Sequence, residues 1–335
     1  MNMESKLMIT SFLLCVLNIA AFGQLDKFTS YKEFDLLSRK YVQTNNFDSA
    51  ILVIEYARSK FPEYDKDATY LLESLFLSTK QDSNVLKNLD YGLKKRYFFG
   101  LERYDYKDFI NNPEFIRLAR IDWQIEDSLN KLSHMKYEIV LPTNYSVDKN
   151  YPVLFVFHGN GRNIQKEKGI WTSNMTKDKF IVVFVQSYIY LTPHDYRWED
   201  NDEKTNREFK EIYERIINKN PAAKDKIIFS AMSAGGSIAI AYAFSQFVPV
   251  NGLVLNCPVV PDVSDNLIKK FVDENKKIGI ITGENDSELN SQKELIDKVA
   301  RIGGNNKITI NPGLGHEYAN DFSTFLDKYL IWILE

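Results

Sequence analysis

From about Leu25 to His134 the apolar residues recur three and four positions apart, the period of amphipathic helices, and no strand-like alternation interrupts them. Tyr31 to Thr44 and Phe47 to Phe61 are predicted to form a helix pair, broken at Asn45-Asn46 and closed by Pro62. A second pair is predicted near Asp67 to Thr79 and Ser83 to Tyr97. A third stretch, Asp105 to Leu118, is punctuated by Asn111-Asn112-Pro113, and a helix from Asp122 to Leu132 leads out of the region. From Met135 onward the pattern changes to short apolar runs separated by amphipathic stretches, which predicts a domain boundary between residues 134 and 135.

The second region opens on the alternating run Lys136 to Leu141, followed by the uninterrupted apolar run Pro152 to Phe157, the type expected of a strand buried on both faces. Further runs lie at Phe180 to Val185, Lys226 to Phe229, Gly252 to Asn256, Ile278 to Thr282 and Lys307 to Ile310, most of them separated by helical stretches. That order predicts an α/β domain over 135–335, with a mainly parallel sheet and helices on both faces. Phe322, Phe325, Leu326, Tyr329 and Ile333 stand at helical spacing and predict a closing amphipathic helix.

In the helical region, 24–134, Ala50 and Ala57 lie about one repeat period before Val85 and Gly92, and small residues there let paired helices approach. With Asn46-Phe47 at the turn and Phe61-Pro62 at the end, the region resembles tetratricopeptide repeats. A generic helical bundle is the competing reading, and a protein partner for this region would follow from the first.

Composition narrows the possibilities. The 335 residues are 44% hydrophobic with a net charge of −3, and no segment concentrates Lys and Arg without acids between them, so a nucleic-acid partner is not expected. Lys6 precedes an apolar run from Leu7 to Phe22 that ends in Ala21-Phe22-Gly23, the pattern of a secretory signal peptide over 1–23 cut before Gln24. The run is short for a membrane span and Asn18 interrupts it, so export to a periplasm or the medium is expected, with no stable membrane span after cleavage. Leu14 before Cys15 is too large for a lipoprotein cleavage site. Cys257 is then the only cysteine left, and the histidines at 134, 158, 194 and 316 have no zinc-binding spacing, so no disulfide, metal or cofactor is expected.

Groups able to do chemistry should appear just after the strands, where the loops of a parallel sheet open on one edge. His158-Gly159-Asn160-Gly161 follows the second run, and its amides could bind an oxyanion. Ile227 to Met232 turns abruptly at Ser233 into a helix-forming stretch, with the small residues Ala231 and Gly235 two positions either side, as a nucleophile elbow requires. Alanine at the first of these places departs from the usual Gly-x-Ser-x-Gly. Gly283-Glu284-Asn285-Asp286 places carboxylates past the Ile278 run, and Gly313-Leu314-Gly315-His316 places an imidazole past the Lys307 run. Singly each is an ordinary turn, but serine, acid and histidine follow separate strands in that order.

That conjunction resembles the α/β-hydrolase superfamily over about Met135 to Glu335. The resemblance implies Ser233 as nucleophile and His316 as general base, with Asp286 the first candidate for the orienting acid, Glu284 the second and Asp262 the third. It also implies an oxyanion hole from the amides of Ala234 and of Asn160 or Gly161, and a structural role for His158. About twenty residues separate the Gly252 and Ile278 runs, too few for an inserted cap domain. The loop from Gln186 to Thr205 carries aromatics, of which Tyr196 and Trp198 are candidates for contact with a substrate; packing inside the protein is the alternative. The runs Tyr151 to Gly159 and Met232 to Gly236 look most like secreted feruloyl esterases and polyhydroxyalkanoate depolymerases, which implies a carboxylesterase acting on a small-molecule or saccharide-linked ester. A serine exopeptidase of the prolyl-oligopeptidase type, or a non-catalytic envelope binding protein using the helical repeats, are the alternatives.

Overall fold

In the computed structural model, which describes residues 25–219 and 226–335, the chain divides into two compact units between Glu126 and Asp127. The expected signal peptide and Cys15 lie outside the described residues. No helix among the described residues is long and apolar enough to cross a membrane.

The first unit is helical. Helices α1 (Tyr31–Gln43), α2 (Phe47–Lys60), α3 (Asp65–Ser78) and α4 (Asp82–Lys94) pack each against the next. Ala50, Ala57 and Val85 are fully buried where these helices meet, and a methyl group on Gly92 would come within 2.5 Å of the Phe99 ring. A 3₁₀ turn, Tyr104–Phe109, leads to α5 (Pro113–Leu132). The two helical stretches expected around residues 105–132 are divided differently: Pro113 starts a single helix of 20 residues, and Asn112 Oδ1 accepts the amides of Glu114 and Phe115 at its start. Asp122 lies inside that helix and accepts the amides of Phe99, Gly100 and Leu101.

The unit boundary falls inside α5, eight residues before the change of hydrophobic period. The helix end belongs to the second unit because its polar groups are used there. Asn130 Oδ1 accepts the Tyr190 amide, Lys204 Nζ donates to the carbonyls of Asn130 and Ser133, and Glu208 accepts the Met135 amide.

The second unit contains β1 (Lys136–Val140), β2 (Val153–Phe157), α6 (Ile164–Ile170), α7 (Asn174–Asp178), β3 (Ile181–Gln186), β4 (Ile189–Tyr190), β5 (Tyr196–Arg197), α8 (Glu203–Lys219), β6 (Ile227–Met232), α9 (Ala234–Phe244), β7 (Gly252–Asn256), α10 (Asp265–Asp273), β8 (Lys277–Gly283), α11 (Leu289–Arg301), β9 (Asn305–Asn311) and α12 (Phe322–Leu334). Seven strands form one sheet in the order β1-β3-β2-β6-β7-β8-β9, parallel except for β1 at the edge. Every predicted strand is present. The short β4–β5 hairpin is an addition, too brief to leave a periodic signal.

Alternation along β2 divides the core into two layers. Val153, Phe155 and Phe157 face a cluster with Phe209 of α8 and Ala239 of α9, while Leu154 and Val156 face one with Trp171 and Leu326 of α12. Helix α9 is apolar on nearly all sides because it lies buried against the sheet, and the nucleophile candidate stands at its start. Only α10 lies between β7 and β8, so no cap is inserted there.

Candidate active site

Ser233 joins β6 to α9 with φ 53° and ψ −124°, a conformation that costs an L-residue energy unless its surroundings hold it. They do so from three sides. The Ser233 amide donates to the Asn256 carbonyl of β7, and its own carbonyl accepts the amides of Gly236 and Val259. A Cβ on Gly235 would lie 2.4 Å from the His158 carbonyl oxygen, and one on Gly236 would lie 2.5 Å from Pro258 Cβ. Both positions therefore need glycine. Ala231, by contrast, is fully buried in β6 between Phe157 and Leu255, so its methyl group packs into the core below the turn.

His316 follows β9 on a loop held close to the loop after β8. Gly283 makes that approach possible, since a Cβ there would meet the Leu314 carbonyl oxygen at 2.2 Å. The Asn285 amide donates to Leu314 O, the Gly313 amide donates to Glu284 Oε2, and Asn256 Nδ2 donates to Glu317 O. The imidazole thereby reaches both other groups: Nε2 lies 2.8 Å from Ser233 Oγ and Nδ1 lies 2.8 Å from Asp286 Oδ1. With Nδ1–H donating to the carboxylate, Nε2 is free to accept the serine proton.

The Asp286 side chain is buried. Its Oδ1 also accepts the Glu288 amide, and its Oδ2 accepts from Thr282 Oγ1 and Gln292 Nε2. Burial alone would raise its pKa, but the Glu288 amide, His316, Gln292 and Thr282 outweigh burial and bring it down to about 2. Glu284 is engaged on the Gly313 amide, and Asp262 is exposed, so of the three candidate acids only Asp286 bonds the imidazole. Cys257 stands beside the triad with its thiol within 4.8 Å of the Asp286 and His316 ligand atoms, at φ 43°. Burial, with the Asp286 charge, pushes its pKa up to about 12, so it is a protonated thiol at neutral pH.

The loop after β2 lies beside the elbow. Burial and the Arg162 charge bring the His158 pKa down to about 4; its Nδ1 bonds the Gly159 carbonyl and its Nε2 accepts the Ser187 amide. The Gly161 amide donates to the Tyr196 carbonyl, so it is already engaged, whereas Asn160 is held by its side chain, which accepts the Trp198 amide. Of the two expected loop donors, Asn160 or Gly161, the Gly161 amide is thus already engaged. Tyr196 and Trp198 need the larger correction. Both are buried, Trp198 Nε1 donates to the His158 carbonyl, and the Trp198 and His158 rings lie 4.8 Å apart. They hold the loop in place from behind; the polar sequence around them hid this because their partners are backbone groups distant in the chain.

A mainly parallel sheet with an antiparallel edge, an elbow serine after its central strand and a hydrogen-bonded Ser–His–Asp set define an α/β-hydrolase fold. No protein-family model matches the sequence, and no curated protein matches it. Among solved structures, one described as an uncharacterized protein from Bacillus cereus is 16% identical, with a TM-score of 0.51, and the match covers 91% of this chain and 99% of that one. The Bacillus cereus carboxylesterase is 18% identical over 62% of this chain and 97% of its own, with a TM-score of 0.47. The S-formylglutathione hydrolase of Staphylococcus aureus is 18% identical over 61% of this chain and 100% of its own, with a TM-score of 0.44. Esterases and serine hydrolases recur among such neighbours, and the likeness at a TM-score of 0.51 speaks for the fold alone.

Proposed function

We propose that this chain is a serine hydrolase that cleaves carboxylic esters through an acyl-enzyme on Ser233. The observation that carries this reading is the chain of two 2.8 Å hydrogen bonds from Ser233 Oγ through His316 to Asp286. A serine hydroxyl attacks a carbonyl at neutral pH only if a base removes its proton as the bond forms. His316 Nε2 takes that proton while Oγ bonds to the carbonyl carbon. The tetrahedral oxyanion is held by the amide of Ala234, whose position at the start of α9 leaves it without an intrahelical partner, and by that of Asn160. The imidazolium returns the proton to the departing alkoxide, water then enters by the same base, and acid is released with Ser233 restored. Asp286 stays ionised and fixes the tautomer throughout.

Fluorophosphonate labelling followed by peptide mapping tests the reading, with the label expected on Ser233. The native protein is expected to hydrolyse short-chain aryl esters, and Ser233→Ala to abolish turnover with an unchanged unfolding midpoint. Retained turnover in that variant would sink the mechanism. The Lys6–Gly23 pattern supports export, with Gln24 as the expected first residue of the mature chain in a mass measurement. The buried small residues between the paired helices support a tetratricopeptide-like role for the first unit in holding a protein partner.

A further inference from the structure

The buried carboxylate of Glu167 on α6 gathers three donors that the proposed mechanism does not use. Arg162 Nε, from the oxyanion loop, bonds Oε1; Trp171 Nε1 and the Tyr318 hydroxyl, from the histidine loop, bond Oε2 at 2.8 Å each. A buried carboxylate needs a counter-charge, and Arg162 supplies it. Arginine–carboxylate pairs are frequently bidentate, with the fork set across both oxygens. Here Trp171 and Tyr318 occupy the second oxygen, so the arginine engages through Nε and its two Nη groups remain outside the pair.

A Cβ built on Gly159 would lie 3.3 Å from Ser233 Cβ and 3.4 Å from Arg162 Cδ, so the arginine stem and the serine side chain both border Gly159. The guanidinium carbon lies 5.4 Å from the centre of the Tyr318 ring, two residues beyond His316. The Arg162 side chain is 26% exposed whereas that of Glu167 is 2% exposed, so a part-exposed arginine is anchored on a buried acid. Among the described residues, Glu167 is the only carboxylate in ion-pair reach of Arg162. The nearby Lys166 is already engaged with Asp195 and the Gly161 carbonyl.

Resting on the ester-hydrolase reading, we propose that Arg162 is a specificity-determining residue that selects esters carrying a carboxylate on the acyl chain near the scissile bond. Its planar donors suit a carboxylate, and Glu167 holds them in position before substrate arrives, which lowers the ordering cost of binding.

The test compares the mono-para-nitrophenyl ester of adipic acid with para-nitrophenyl hexanoate, which replaces the carboxylate by a methyl group, in native protein. The expected result is a kcat/KM at least about ten-fold higher for the adipate ester, carried by KM and reduced by added salt. Arg162→Lys keeps a charge for Glu167 but loses the fork, and is expected to bring the ratio near one. A native ratio of one or less, with hexanoate turned over and Ser233 labelled by fluorophosphonate, would overturn the selectivity and leave the hydrolase standing. A high native ratio unchanged in Arg162→Lys would overturn the assignment to Arg162. Absence of both label and turnover would remove the hydrolase reading and this inference together. The native comparison decides the selectivity by itself, and should Arg162→Lys not fold, Arg162→Gln decides the assignment by the same ratio.

Discussion

Asp286 and His158 are both buried beside the same strand ends, and their surroundings drive them to opposite tasks. Four donors keep Asp286 ionised down to about pH 2, so it can orient an imidazole across the working range. Asp286 should therefore add no protonation of its own to the acid limb of kcat/KM above about pH 3, and a two-proton limb there would contradict the assignment. Asp286→Asn should cost about ten-thousand-fold in kcat, because the amide no longer holds the tautomer that leaves Nε2 able to accept. His158 is kept neutral, its pKa falling from 6.5 to about 4. Its stabilising contribution is full above the unfolded pKa and is lost as pH falls through the folded one. Native protein should lose about 3 kcal/mol of stability between those pH values from this group. Denaturant melts should show that slope, and His158→Gln should lack it. The serine, acid and histidine could be found in sequence because each follows a strand. The roles of Tyr196 and Trp198 could not, since their partners are carbonyls and amides brought close only by folding.

At the level of elements, the site depends on glycines that let loops touch. Gly235 brings the start of α9 against the His158 carbonyl, and Gly283 brings the histidine loop against the end of β8. Gly283→Ala is expected to push the His316 loop away from Asp286 and to lower kcat about a hundred-fold, while costing roughly 1–3 kcal/mol in stability. Assay and thermal melt of the variant check both, and an unchanged kcat would show that the loop tolerates the methyl group. The strands were legible because β2, β3, β6, β7 and most of β8 are buried throughout and built mostly of apolar residues, as burial on both faces demands. Helix α5 was less so: the pattern reads as two stretches, whereas Asp122 is accommodated within one helix because it serves the chain reversal at Phe99–Leu101.

On the scale of the whole molecule, a helical unit precedes the hydrolase fold, and the break between them falls within one continuous helix. Residues 127–134 look like the end of the helical region by period, yet their side chains and carbonyls serve the sheet domain. Asn130→Ala should therefore destabilise the second unit by about 1 kcal/mol, through loss of the bond to the Tyr190 amide, and the loss should be visible in the denaturant midpoint of Ser233 labelling. An unmoved midpoint would place the boundary where the hydrophobic period changes.

The sequence by itself determined the order of elements, the parallel sheet and the strand ends at which Ser233, Asp286 and His316 stand, because strand burial and loop position leave local signatures in composition. Tertiary structure alone decided which acid meets His316, that Gly161 is already engaged, that the Ala231 methyl lies harmlessly in the core, and that Arg162 and Ser233 both border Gly159. Those are matters of distance between residues far apart in the chain, and a pattern of neighbours carries no distance.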